Sequence, residues 1–204
     1  VNALTVVPTG VANLASVEAA FARLGVTLQV ANDGDDVHAA AAVLLPGVGH
    51  FGAAAKTLAE RGLGDALRAR LASGRATLGI CLGMQLCCVG SDEAPGVPGL
   101  GVVAGQVTRF PAGLRVPQMG WNHVVAPPAA EPLASGHAYF ANSYRLAQAP
   151  AGWQVATAEH GGAFVAALAR DAVLLCQFHP ELSGAYGAQL LARWLTCAGL
   201  EVLC

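Results

Sequence analysis

Gly79-Ile80-Cys81-Leu82-Gly83 sets a cysteine between two glycines, directly after an apolar run. This Gly-x-Cys-x-Gly spacing is the thiol counterpart of the Gly-x-Ser-x-Gly nucleophile elbow. An elbow of this kind turns sharply from strand into helix. It puts the nucleophile in a strained, exposed position at a helix N-terminus, where free N–H groups and the helix dipole favour a thiolate. The N–H of Leu82 then points at an oxyanion. A lone cysteine is more often a buried structural thiol, but the strand–elbow–helix context and the paired glycines favour catalysis at Cys81. Cys87 and Cys88 lack that context and read as core packing.

A thiol nucleophile needs a base, and the base needs an orienting group. Gln177-Phe178-His179-Pro180-Glu181 supplies both after another apolar run. His179 and Glu181 stand two apart, and Pro180 stiffens the link between them. The remaining histidines read as solvated or structural: His38 in a loop, His50 opening a helix, His123 and His137 in strand-like stretches, His160 in a glycine-rich turn. A third segment, Pro46-Gly47-Val48-Gly49, follows an apolar run and gives the backbone unusual freedom. Alone it is as readily an ordinary strand–helix turn. Beside Cys81, the N–H of Val48 or Gly49 becomes a candidate oxyanion donor.

The elements that must position these residues follow from hydrophobic pattern. Residues 3–7, 26–30, 42–45, 76–80 and 172–178 are short apolar runs that read as buried strands. Helical spacing runs from a cap at Asn13 through Leu24, then after Gly49, from about Asp65 to Ala72, from Leu82 to Val89, and from about Gly184 to Thr196. This alternation predicts a parallel sheet with right-handed crossovers. Residues 101–110, 116–125, 137–146, 153–160 and 163–170 look like strands separated by Pro- and Gly-containing turns, and read as antiparallel additions to the sheet. The expected fold is α/β: a mixed, mostly parallel central sheet, flavodoxin-like, with helices on both faces. Residues 1–204 read as one domain.

Composition narrows the classes. Hydrophobic residues make up 54% and charged residues 12%, with a net charge of -2. No basic stripe invites nucleic acid, and no apolar run is long enough for a membrane helix. No signal-peptide pattern opens the sequence. The six cysteines form neither a disulfide framework nor a zinc pattern, which fits a reducing cytoplasm.

GICLGMQ, QFHPE and PGVGHFG in these positions resemble the class I glutamine amidotransferases. Within that class the chain is similar to the glutaminase subunits of imidazole glycerol phosphate synthases, which serve histidine biosynthesis. The PGVG turn, VPQMGWN at 116–122 (VPHMGWN in that family) and YFANSY at 139–144 (YFVHSY) carry this closer likeness. The chain departs at Pro8-Thr9-Gly10-Val11-Ala12-Asn13, where the family has Asp-Tyr-Gly-x-Gly-Asn. It also departs at Gln118 and Asn142, each in place of a histidine.

The resemblance implies that Cys81 is the nucleophile, His179 the acid–base and Glu181 the orienting carboxylate. It implies an oxyanion hole from Leu82, Val48 and Gly49, and glutamine binding by Gly47, Gln85, Asn142, Ser143 and Tyr144. It further implies a partner interface with Asn13, Met119, Trp121 and Asn122, and neither metal nor organic cofactor. The implied reaction hydrolyses L-glutamine to glutamate and ammonia, with ammonia passed to a (β/α)8-barrel cyclase in a heterodimer. The two glycines around Val48 suggest that the oxyanion hole forms only when the liganded partner is bound. Rival readings are a glutaminase of another pathway, a non-catalytic regulator with the same fold, and a cysteine protease. PGVG and PQMGWN weigh against the first, the complete Cys-His-Glu set against the second, and the compact site implied by Gln85 against the third.

Overall fold

The computed structural model describes residues 2–10, 14–128 and 130–203. Asn13, predicted as a helix cap and an interface residue, lies outside them, as do Val11 and Ala12. In the first half strands and helices alternate: β1 (Ala3–Val6), α1 (Leu14–Arg23), β2 (Thr27–Val30), α2 (Gly34–Ala39), β3 (Val43–Leu45), α3 (Phe51–Glu60), α4 (Gly64–Ala72), β4 (Thr77–Ile80) and α5 (Leu82–Leu86). The second half is strand-rich: β5 (Cys88–Ser91), β6 (Val103–Arg109), β7 (Gln118–Val124), β8 (Gly136–Asn142), β9 (Tyr144–Leu146), β10 (Gln154–Glu159), β11 (Ala163–Arg170) and β12 (Val173–Cys176). The helix α6 (Gly184–Cys197) follows.

The central sheet has seven strands in the order β10-β11-β12-β4-β3-β1-β2. From β12 to β2 every neighbouring pair is parallel, while β10 and β11 add on antiparallel. Continuous apolar runs suit strands buried on both faces. β3 illustrates this: Leu44 joins a core with Phe21 of α1 and Trp194 of α6, while Val43 and Leu45 join the opposite core with Val37, Leu58 and Leu67. The mixed, mostly parallel sheet with helices on both faces is the expected one.

Three expectations are corrected. The helix predicted through Val89 stops at Leu86, and Cys88–Ser91 become β5. The carbonyls of Leu86, Cys87 and Cys88 are taken by the N–H groups of Leu100, Gly101, Val102 and Val103 instead of by the next helical turn. Gly99 permits that approach, since a β-carbon there would lie 2.2 Å from the Cys88 carbonyl oxygen. Next, only two of the strand-like stretches extend the central sheet. β7 and β8 form a separate antiparallel ribbon, and β6 pairs with β5 (parallel) and β9 (antiparallel). Last, His38 lies in α2 rather than in a loop. The Asp33 carboxylate caps this helix, accepting from the N–H groups of Asp35 and Asp36 at 3.0 Å each.

A buried cation ties the rear of the sheet together. The Arg70 guanidinium donates to the carbonyls of Val37, Ala40, Ala41 and Ala76, joining α4 to the end of α2 and the approaches to β3 and β4. Among the described residues no carboxylate pairs with it, so neutral oxygens, mostly backbone carbonyls, solvate the charge. We predict that Arg70→Met destabilises the protein by about 3 kcal/mol through buried carbonyls left without donors. Chemical denaturation measures this; a loss under about 1 kcal/mol would refute it.

Candidate active site

β3, β4 and β12 are adjacent parallel strands, and the chain leaves their C-terminal ends as Pro46–Gly49, Cys81 and His179. In open α/β sheets, sites assemble at that edge. The cysteine thus stands at the central strand end, with the glycine turn on one side and the histidine on the other.

Cys81 adopts φ 52 and ψ -106, a left-handed conformation strained for a residue with a side chain. Its N–H donates to the Cys176 carbonyl at 2.7 Å, and its own carbonyl accepts from the Gln85 N–H at 3.2 Å, which opens α5. Both flanking glycines sit in close quarters, and at Gly83 the backbone leaves no room for any side chain. A β-carbon on Gly83 would lie 1.9 Å from the Leu45 carbonyl oxygen; one on Gly79 would meet a Leu175 methyl at 2.7 Å. The elbow is strained as expected, but Cys81 is not exposed. At 7% accessibility it reaches solvent only through a cavity.

His179 Nδ1 lies 2.8 Å from Glu181 Oε1, and both side chains are nearly buried. Burial alone disfavours the imidazolium. Hydrogen bonds to the Cys81 sulfur and the Glu181 carboxylate outweigh it, and His179 is pushed up to about 10. The residue's backbone is held as firmly. Its N–H donates to the Tyr139 carbonyl at 2.9 Å, and Ser183 Oγ donates to the His179 carbonyl while accepting from the Tyr139 N–H.

The cavity over Cys81 measures about 270 Å³. That is near the small end of the 300–1,000 Å³ common for ligand pockets, a size for one amino acid rather than a peptide. Val48, Gly49, Leu82, Gln85, Asn142, Ser143, Tyr144 and His179 line it, so most predicted site residues meet here. Gly47 does not line it. That residue is packed behind Leu82, and its carbonyl accepts the Leu82 N–H at 3.3 Å. One candidate oxyanion donor is therefore engaged in this conformation. The N–H groups of Val48 and Gly49 have no backbone acceptor among the described residues.

Two polar residues of the site, one behind Cys81 and one on the cavity wall, escaped the sequence reading. Gln177, fully buried at the end of β12, donates from Nε2 toward the Cys81 sulfur at 3.6 Å and accepts from Gln85 Nε2 at 2.9 Å. An amide closing an apolar strand was the available signal. Glu93 brings a carboxylate to the cavity wall, and its Oε2 accepts the Phe51 N–H at 2.7 Å. Nothing in its local sequence marked it, because a loop between β5 and β6 brings it there. Among the described residues no group of three or more His, Cys, Asp or Glu is placed to hold a metal ion.

The predicted interface residues Met119, Trp121 and Asn122 lie on the β7–β8 ribbon. Met119 and Trp121 are 68% and 59% exposed on one face, with the Trp121 ring edge-on to Tyr139. Trp121 is thus not a core residue. Asn122 belongs to the other face, where its amide donates to the Glu159 carbonyl at 2.8 Å.

The family described as Glutamine amidotransferase class-I matches residues 9–196. The chain belongs to this family and is a glutamine amidotransferase. Its relatives include the imidazole glycerol phosphate synthase subunit HisH of Symbiobacterium thermophilum, 41% identical over 94% of this chain and 92% of that one. The subunit of the same name from Thermus thermophilus is 45% identical over 90% and 91%. Among solved structures, a crystal structure titled glutamine amidotransferase superposes with a TM-score of 0.77 at 25% identity, covering 97% of this chain and 99% of that one.

The tightness of the elbow makes it testable. Gly83→Ala is expected to abolish soluble folded protein or activity, because the Leu45 carbonyl cannot retreat without breaking the β3–β4 pairing. A folded, fully active variant would refute this. For His179, the raised folded-state pKa adds stability that is complete below about 6.5, its ordinary value, and is lost as pH rises through about 10. Cys81→Ala removes one hydrogen-bond partner of the imidazolium. NMR titration of the His179 ring is expected to show its pKa fall in that variant, and the stability loss between those pH values to shrink. An unchanged titration would contradict the assignment.

Proposed function

We propose that this chain, folded as one glutaminase domain over residues 1–204, is the glutaminase subunit of an imidazole glycerol phosphate synthase in histidine biosynthesis. The carrying observation is the meeting of Cys81 with the His179–Glu181 pair at adjacent strand ends, inside a cavity sized for one amino acid.

In the proposed reaction the Cys81 thiolate attacks the side-chain amide carbon of L-glutamine. The oxyanion forms against the N–H groups of Leu82 and of the Val48–Gly49 turn. His179, oriented by Glu181, gives its proton to the leaving nitrogen, and ammonia departs from a glutamyl thioester. A water molecule, losing its proton to His179, then hydrolyses the thioester, releasing glutamate and restoring the thiolate. The Glu93 carboxylate faces the substrate ammonium, while Gln85, Asn142, Ser143 and Tyr144 enclose its backbone end. Gln177 acts as a positioning residue for the sulfur. No metal or organic cofactor enters these steps.

Ammonia set free in water at neutral pH is protonated and lost as a nucleophile. The reading therefore includes a (β/α)8-barrel cyclase in a heterodimer, docked on the Met119–Trp121 face, in the cytoplasm. The oxyanion hole is conditional on that partner. With the Gly47 carbonyl on the Leu82 N–H, the hole lacks one donor. Turning over the Gly47–Val48 peptide withdraws that carbonyl and sends the Val48 N–H toward the same space, completing the hole in one motion. The flanking glycines lower the barrier to this turn.

The test is glutamate release by the chain alone and with the barrel cyclase bearing its phosphoribulosyl ligand. One oxyanion donor is worth about 10²–10³ in kcat, so activation of about that size is expected. Labelling by a glutamine-mimic electrophile is expected in the liganded complex and absent in Cys81→Ala. Equal turnover with and without partner would sink the conditional hole; an unlabelled wild-type complex would sink the glutaminase reading.

A further inference from the structure

Two imidazoles face each other across the β7–β8 ribbon. His123 and His137 are register partners on these antiparallel strands, and both are exposed. Side chains alternate along a strand, so His123 shares its face with Met119 and Trp121. The two ring centroids lie 4.9 Å apart, with the ring planes tilted at 54°. Among the described residues, hydrogen bonds engage the rings of His50, His160 and His179 but neither of these two. Neither residue lines the cavity over Cys81, so the proposed reaction gives the pair no task.

The separation of the rings is the informative quantity. An imidazole nitrogen binds zinc at about 2.0–2.1 Å, which sets the ion about 3.2 Å from the ring centre. Two rings on one ion therefore stand about 4.5–5.2 Å apart as the angle at the metal opens from about 90° to about 110°. The 4.9 Å between His123 and His137 falls inside that window. Strand register has already brought the two side chains together, so an ion need not order the backbone to gain its second ligand. Both rings are exposed and free of hydrogen bonds, so only rotation about their side-chain bonds is needed to turn one nitrogen of each toward a shared point.

We propose that His123 and His137 form a site for a divalent late-transition ion such as Zn²⁺, with water in the remaining positions. Imidazole suits zinc, nickel and copper, whereas magnesium and calcium require oxygen ligands. Resident zinc sites have three or four protein ligands, so a two-histidine site exchanges its ion rather than keeping it. The bound ion ties β7 to β8 in a ribbon that has no third strand, on the face that carries Met119 and Trp121. The site goes beyond the glutaminase reading and does not depend on it.

The Cys81 thiol also attracts soft ions, so the test titrates zinc chloride into the full chain carrying Cys81→Ala. Calorimetry and the ring resonances of the histidines report binding. The His123 and His137 signals are expected to shift together, in proportion to one bound ion. His123→Asn and His137→Asn are each expected to weaken that binding about 100-fold, because the second ligation is intramolecular. Both positions are exposed, and His160→Asn serves as a control that is expected to bind as the parent does. Magnesium chloride at the same concentration is expected to move neither ring. Single variants that bind zinc as tightly as the parent overturn the site. So do two rings that respond at different zinc concentrations, which is the behaviour of separate surface histidines.

Discussion

The chain crosses itself at Gly83 with no room to spare. A methyl group there would fall 1.9 Å from the Leu45 carbonyl oxygen, so the first turn of α5 lies directly against the end of β3. Much of the site depends on this approach. It brings the Gly47 carbonyl within reach of the Leu82 N–H, and it leaves Cys81 in a left-handed conformation that costs about 1–3 kcal/mol. The strain is sustained because the surroundings over-determine it: the Cys176 carbonyl holds the Cys81 N–H on one side, and Gln85 closes the first turn of α5 on the other.

Strand order then does what local geometry cannot. β12, β4 and β3 are neighbours, so their C-terminal ends deliver His179, Cys81 and the glycine turn in a row. Residues far apart in the chain, Cys81 and Gln177, come within 3.6 Å because Ile80 and Cys176 share a register position. The raised pKa of His179 follows from the same packing. Burial opposes the charge, and two hydrogen-bond partners in one tight cluster overcome it.

The periodic part of this structure was legible in the sequence. The buried strands, the glycine-flanked Cys81 and the His179–Glu181 spacing all express local rules, and the fold follows them. Legibility failed where distant segments decide. Leu82–Val89 has a helical pattern, yet the incoming 100–103 segment captures its carbonyls and turns Cys88–Ser91 into a strand. Strand character was visible at 116–125 and 137–146, but not that these would pair with each other apart from the main sheet. Asp33 was a readable helix cap hidden in a turn-like run of Asn, Asp and Gly. Glu93 and Gln177 gained their places only through tertiary contact, and Arg70 gave no sign that backbone carbonyls would solvate it.

The ribbon that bears Met119 and Trp121 is not a passive platform. Tyr139 packs its ring against Trp121 and receives the His179 N–H on its carbonyl, while Ser183 bridges the Tyr139 N–H to the His179 carbonyl. A partner pressing on Trp121 therefore bears, one residue removed, on the backbone of the base. On the opposite side of Cys81, the Pro46–Gly49 turn is held, among the described residues, by one long backbone hydrogen bond at 3.3 Å from the Leu82 N–H to the Gly47 carbonyl. The base is clamped by several bonds and the turn by one. If docking is to change the site, the least costly displacement lies at the Gly47–Val48 peptide rather than at His179. In the proposed reaction, that asymmetry leaves the His179–Glu181 pair assembled at rest and makes completion of the oxyanion hole a matter of one peptide rotation.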